Sequence, residues 1–388
     1  MRRENKGLEA SRRIIRTNLD VITSERSKED PMRKLLGVSI LALGCALAGA
    51  GLQAVAEFPL WAYGVTAAPP PPGAAPATPA PAPAAGGGRA GGGAPAAPDT
   101  TMHSLPGAAQ QFTRAQIANQ YGPADWYPGD HPQMPEIVAK GKQAQNVAAC
   151  SLCHMPNGKG RPENAPVAGY PVEYFVKTMM DFKNDLRKSA DPRKANTNRM
   201  IAFAKAMTDE EILQAATYFN AMPWTQWIRV VEVSTVPKTR IQGGMFLRLE
   251  GNETEPIGNR IIEAPENTER TEVLRDPRSG FVAYAPMGSI KRGQALATSG
   301  GNGKTIACAT CHGANLQGMG PVPGIAGRSP SYLVRQMHDM QTGARKGSWS
   351  ELMKPVVEKL TAEDFVSIAA YVASRPQAAG PATQTAAR

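Results

Sequence analysis

Residues 167–188 read VAGYPVEYFVKTMMDFKNDLRK, and 158 positions further on residues 325–346 read IAGRSPSYLVRQMHDMQTGARK. Ala168/Ala326, Gly169/Gly327, Tyr174/Tyr332, Val176/Val334, Met179/Met337 and Asp181/Asp339 coincide. The same offset superposes Cys150-Ser151-Leu152-Cys153-His154 on Cys308-Ala309-Thr310-Cys311-His312. Upstream, VAKGKQA aligns with IKRGQAL, which predicts a helix around each of Gly141 and Gly293. Downstream the offset shrinks to 153, and MTDEEILQAATYFNAM (207–222) falls on LTAEDFVSIAAYVASR (360–375). Self-similarity of this extent means two copies of one domain.

Each copy reads as helical. Thr208 with Glu211, and Thr361 with Asp364, have the spacing of a capping box at a helix start. Ile212, Ala215, Ala216 and Phe219 recur at i, i+3, i+4, i+7, as do Phe365, Ile368, Ala369 and Val372, so both terminal helices are amphipathic. Phe175, Met179 and Phe182 form a similar stripe in the middle helix of the first copy, and Leu333, Met337 and Met340 in the second. Pro171 and Pro330 suit the first turn of those helices.

The CxxCH pattern admits three chemistries. A structural zinc wants two CxxC pairs about 15–20 residues apart, whereas these pairs lie in different repeats. A thioredoxin-like CxxC wants a βαβ setting, which the helical flanks deny. The third reading uses every residue. Cys150 and Cys153, and again Cys308 and Cys311, add as thiols across haem vinyl groups, while His154 and His312 ligate iron. The cofactor expectation is therefore two covalently bound haem c groups.

A second axial ligand decides what such a centre does. The remaining histidines, His103, His131 and His338, read as ordinary surface residues. Methionine is abundant, and Met179, Met337 and Met340 read as core filler. Met200 and Met353 differ: each lies seven residues before its capping-box helix, in a loop-like stretch, 46 and 41 residues after the proximal histidine. They are the candidate thioether ligands.

These residues resemble the class I c-type cytochromes, and the doubled arrangement resembles the tandem dihaem cytochrome c4 family. CxxCH, the AGxxxxY segment and the late Met before a capped helix carry the resemblance over roughly 130–225 and 288–376. It implies iron ligation by His154 with Met200 and by His312 with Met353. It also implies a Pro some dozen residues after the His whose carbonyl accepts the imidazole proton. Pro323 fits that position, while Pro166 lies one residue late and Met155 stands where the pattern has Gly. The implied fold is mainly α, two tandem class I cytochrome c-type helical domains joined by a partly β connector. The connector contains the β-rich runs IRVVEV, MFLRLE and FVAYA between Gly, Pro and Asn.

The termini read differently. Met32-Arg33-Lys34, the apolar run LLGVSILALGCALAGAGL and Ala54-Val55-Ala56 have the layout of a secretory signal, with translation starting at Met32. An uncleaved membrane anchor is the alternative, at the lower length limit for a span, and Cys45 sits in a poor lipidation context. Residues 67–98 are nearly all Ala, Pro and Gly and read as a disordered linker. The resulting division is 1–56 leader and signal, 57–105 linker, 106–224 first domain, 225–288 connector, 289–376 second domain and 377–388 disordered tail.

All four cysteines outside the signal are consumed by the two motifs, leaving no thiol for a structural disulfide. The net charge of +10 falls to +6 without residues 1–56, which hold ten Lys and Arg against six Asp and Glu. No basic stripe interleaved with aromatics appears, so nucleic acid is excluded as a partner. The sequence reads as a periplasmic carrier of single electrons without substrate chemistry of its own, membrane-attached if the apolar segment is retained. Its partners are then a redox protein donor and acceptor, such as a membrane oxidase or periplasmic dehydrogenase. One alternative is the haem-bearing subunit of a larger dehydrogenase or oxidase. A dihaem peroxidase is another, and would need an open iron site. A thiosulfate-oxidising version would need a cysteine ligand, and all four cysteines outside the signal are consumed by the two motifs.

Overall fold

The computed structural model describes residues 58–65 and 99–376. Residues 1–56, expected to be leader and signal, the Ala/Pro/Gly run 67–98 and the expected tail from 377 lie outside the described residues.

In chain order the helices are α1 (Leu60–Tyr63), α2 (Arg114–Ile117), α3 (Glu136–Ala139), α4 (Cys150–His154), α5 (Val172–Lys183), α6 (Ala195–Ala206) and α7 (Asp209–Asn220). Seven short strands follow: β1 (Ile228–Val233), β2 (Thr235–Pro237), β3 (Thr239–Gln242), β4 (Met245–Arg248), β5 (Thr254–Pro256), β6 (Ile262–Pro265) and β7 (Phe281–Pro286). A π-helical turn, Glu269–Val273, precedes β7. The second repeat supplies α8 (Ser289–Ser299), α9 (Ala309–His312), α10 (Pro330–Gln341), α11 (Ser348–Glu351), α12 (Lys354–Val357) and α13 (Ala362–Ser374).

Both capping boxes form: Thr208 and Thr361 accept from the backbone N–H of Glu211 and Asp364, whose carboxylates answer at the cap. The two apolar stripes they start, on α7 and α13, are buried in separate cores. Ile212, Ala215, Ala216 and Phe219 pack with Met179 and Phe182 of α5. Phe365, Ile368, Ala369 and Val372 pack with Leu333, Met337 and Met340 of α10. Gly293 has a packing reason: a Cβ on α8 there would run into the Ser367 carbonyl of α13. Its partner in the alignment does not follow. Gly141 lies beyond the one-turn α3 at φ +69°, where a Cβ would meet the Val147 carbonyl, so the expected helix ends before it.

The strands make three small sheets. β7 lies between β1, parallel, and β6, antiparallel, while β2–β5 and β3–β4 pair antiparallel. Ile228, Phe281, Ala283 and Ala285 of the three-stranded sheet belong to the same core as α10 and α13. From β6 the buried Glu263 carboxylate accepts from Ser329 Oγ (2.9 Å) and Ser331 N (2.7 Å), capping the first turn of α10.

The two repeats meet through equivalent residues. Lys188 N donates to Ala344 O and Lys346 N to Leu186 O, pairing Arg187 with Arg345, its own counterpart. The side chains cross reciprocally, Arg187 to the Tyr332 hydroxyl at 3.4 Å and Arg345 to the Tyr174 hydroxyl at 3.2 Å. An exchange in which i meets j and j meets i is the signature of a two-fold interface. Burial raises the Tyr174 phenol, but the Arg345 and Arg187 guanidinium charges outweigh it and hold the group at about 8.

Two departures from expectation sit near this seam. Phe58–Val65, read as the start of a disordered linker, docks instead: the Tyr63 hydroxyl donates to Asp339 (2.6 Å) and Arg335 donates to Ala62 O (2.6 Å). The stretch carries Phe58, Leu60, Trp61 and Tyr63, which the Ala/Pro/Gly run after it lacks. His338, read as a surface residue, is buried against Phe58 and Tyr63 and bonds the Tyr63 hydroxyl at 3.0 Å. Burial holds its imidazole neutral, down to about 4.

Arg328 crosses the same seam, its guanidinium sandwiched between Tyr170 and Trp224 and donating to Pro166 O (3.0 Å) and Ala168 O (2.9 Å). Replacing it by Met leaves two buried carbonyls unpaired and loses both ring contacts. The expected loss is about 2–3 kcal/mol in chemical denaturation, and a loss below about 0.5 kcal/mol would contradict this role for Arg328.

Candidate functional site

α4 holds the first CxxCH, and the second runs from Cys308, the cap residue of α9, to His312. Among the described residues the four thiols are unpaired, and no three His, Cys, Asp or Glu side chains gather as a metal cluster. α4 is fastened to α3 by Ser151 Oγ donating to Val138 O at 2.8 Å. The two histidines are held alike: His154 Nδ1 lies 2.8 Å from Ala165 O, and His312 Nδ1 lies 2.8 Å from Pro323 O. Only Nδ1–H can donate to a carbonyl, so each ring keeps the Nε2 lone pair free for a metal. Burial lowers both imidazoles, which favours the neutral, ligating form, against the raising effect of the carbonyl.

This geometry corrects the expectation about Pro166. The acceptor is the carbonyl eleven residues after each histidine, and it belongs to Ala165 in one repeat and Pro323 in the other. Residue type at that position is secondary, because a backbone oxygen does the work. Counting from each histidine in the sequence would have found it. Met155, by contrast, adopts φ +61° where Gly313 has +81°, a conformation that suits glycine.

Above His154 opens a cleft lined by Cys153, Phe175, Met179, Met200 and Phe203. Met200 therefore shares the space with the CxxCH helix, as the sequence anticipated, but it lies within three-turn α6 and not in a loop. Met353 sits at the start of α12, between two one-turn helices, against the core that Cys308, Ala309 and Ile325 also contact. None of His103, His131 and His338 is among the residues lining the first cleft. His131 bonds Asp125 at 3.2 Å, which raises its imidazole.

The cleft has two textures. Near His154 it is apolar, and toward the other repeat it is lined by Arg187, Lys194, Arg335 and Asp339. A flat macrocycle with an apolar body, vinyl groups for two thiols and two carboxylates fits that wall: thiols and a free imidazole Nε2 at one side, cations at the other. Sequence periodicity does not reveal Lys194 or Arg335, since they belong to different repeats and meet only in the fold.

The sequence pattern of the Cytochrome c family matches residues 138–223 and 290–376. The cytochrome c-554(548) of Halomonas halodenitrificans is 38% identical over 76 residues, 19% of this chain and 92% of that protein. The cytochrome c4 of Pseudomonas aeruginosa is 36% identical over 83 residues, 21% of this chain and 40% of that protein. A thiosulfate dehydrogenase electron acceptor of Thiomonas intermedia is 23% identical over 235 residues, 59% of this chain and 80% of that protein. The chain thus belongs to the cytochrome c family, and its two matched repeats make it a tandem dihaem class I cytochrome, cytochrome c4-like, with two covalently bound haem c groups.

Proposed function

We propose that the protein carries single electrons between redox partners in the periplasm, with Cys150, Cys153, Cys308 and Cys311 as thioether attachments. The iron ligands are His154 with Met200 and His312 with Met353. The observation that carries this reading is the repeated 2.8 Å anchor from each CxxCH histidine to the carbonyl eleven residues on, with Met200 in the cleft above His154. The bound haem supplies one-electron iron redox chemistry. The chain supplies the rest. The carbonyl anchors fix the imidazoles, the Met200 and Met353 thioethers would favour the reduced state as iron ligands, and the apolar walls keep water away.

The domain limits that go with this reading are 106–224 and 289–376, with 225–288 as a partly β connector and residues 1–56 as leader and signal. Among the described residues no helix is long and apolar enough to cross a membrane. A second reading, the electron-accepting haem subunit of a dehydrogenase, is favoured by the similarity to a thiosulfate dehydrogenase electron acceptor over 235 residues.

Lys194 gives the first cleft a pH-sensitive wall. It is buried, with the Tyr63 carbonyl at 3.5 Å as its hydrogen-bond partner. Burial first, and then the Arg335 charge, push the amine down to about 7, against the attraction of Glu163, Asp191 and Asp339. A protonated Lys194 stabilises an added electron nearby, so reduction takes up a proton and the potential falls as pH rises through the amine's range. A haem carboxylate held by Lys194 would move that range upward.

Mass spectrometry of exported protein should find two covalent haems, and fewer would overturn the assignment of the cysteines. Met200→Ala and Met353→Ala should each abolish about half of the ferric Met–iron charge-transfer band, and an undiminished band in either variant rejects that ligand. In spectroelectrochemical titrations one of the two potentials should fall with pH, by no more than about 59 mV per unit for one proton and one electron. Lys194→Met should flatten that slope, and an unchanged slope removes Lys194 from the account.

A further inference from the structure

The two CxxCH segments are equivalent in sequence and unlike in cover. In the second repeat Ile306 and Thr310 are exposed, and Leu352, just before Met353, is 74% exposed. The positions that match the first two, Ala148 and Leu152, are buried at 2% and 9%. The third, Arg199, just before Met200, is itself exposed, and its guanidinium is tied to Gln120.

Two segments from outside the repeat provide that cover. Gln120 reaches both sides of the first site, its backbone carbonyl accepting from Ala149 N (2.8 Å) and its side-chain carbonyl from Arg199 Nη2 (3.0 Å). It therefore spans from the residue before Cys150 to the residue before Met200. From the other direction comes Arg275, whose Nη2 donates to Leu152 O. Burial pushes this guanidinium down to about 10, with Arg161 adding to the effect and Cys153 opposing it. Next to it, Pro277 O accepts from Asn157 Nδ2 at 2.6 Å.

The two segments are locked together as one body. Trp126 Nε1 donates to Leu274 O (2.8 Å), and Arg278 pairs with Asp130 (2.7 Å) while lying 3.6 Å over the Tyr127 ring. Leu105, Ile117, Trp126, Tyr127 and Leu274 form a small core of their own. At the second site nothing comparable reaches across among the described residues. Thr305 there bonds Val356 O at 2.5 Å, which holds Ile306 close to the α11–α12 corner that carries Leu352.

We propose that residues 112–130 and 269–278 cap the edge of the first haem site and close it to redox proteins. The second site, around Ile306 and Leu352, is then the port through which both haems exchange electrons. This rests on the dihaem carrier reading above. An electron leaves a reduced one-electron partner, which is oxidised by one charge, and enters at the second site. It would pass inward to the first site, returning the second to its oxidised state, and a second reduced partner, oxidised in turn by one charge, would then fill the second site. The partner presents an apolar, charge-balanced face. The port centre is apolar, Lys304 beside it is neutralised by Asp364 at 2.5 Å, and the α11–α12 corner carries one acid and one base, Glu351 and Lys354.

The test is stopped-flow reduction of the oxidised full-length holo-protein by excess reduced blue-copper protein, followed at the haem absorption. The wild type should show one phase whose rate depends on copper-protein concentration, with weak dependence on salt. Leu352→Glu and, separately, Ile306→Glu should slow the whole haem amplitude at least tenfold while keeping two haems and the Met–iron band. Gln120→Ala with Arg275→Gln, which loosens the cap, should add a second concentration-dependent phase. The proposal is overturned if half the amplitude keeps its wild-type rate in both port variants, or if the wild type already shows two concentration-dependent phases. A haem count of one by pyridine haemochromogen would instead overturn the dihaem reading, which separates the two failures.

Discussion

The architecture depends on the reciprocal crossing of Arg187 onto Tyr332 and Arg345 onto Tyr174. A domain that buries only one face of its helices needs a partner, and a duplicated chain carries one with complementary chemistry already in place. Because the same two residue types donate and accept from both sides, a single geometry satisfies four side chains. Buried guanidinium groups are costly unless their hydrogen bonds are met. That cost makes sliding or opening of the seam unfavourable. Arg328 adds to it by spending its donors on backbone carbonyls of the first repeat between two aromatic rings.

That seam also shapes the first cleft. Its apolar end belongs to the first repeat alone, whereas its charged end draws on Arg187 and Lys194 from one repeat and Arg335 and Asp339 from the other. The docked segment at Tyr63 closes the same region, tying Asp339 and Arg335 to the chain's N-terminal part. Charge near a haem is therefore governed by how the repeats meet as much as by the motif that holds the cofactor. The asymmetry of cover works at a larger scale, with segments from outside the repeat lying across one site and leaving the other open.

Much of the site was legible in the sequence because its chemistry needs particular side chains at short spacing. Two thiols and an imidazole must face one macrocycle, so they share one helical turn. A capped helix announces itself through Thr and an acid three residues on. The carbonyl that orients each histidine was less legible, because any residue can supply it, and the search for Pro pointed to Pro166 when the oxygen belonged to Ala165. Alignment singled out Met200, which lines the cleft with His154, although its helix was not legible, since ADPRKANTNRM lacks an apolar period strong enough to mark one.

By itself, then, the sequence determined the duplication, the helical cores and the residue types able to hold two haems, since each of these rests on local spacing that the chain repeats. Only the tertiary structure decided which groups surround those residues. Lys194 and Arg335 are 141 positions apart in sequence, and Gln120 and Arg275 come from segments with no counterpart in the other repeat. No periodicity links such residues. What brings them together is the burial of the seam and of the small core around Trp126, and with it the difference between the two sites.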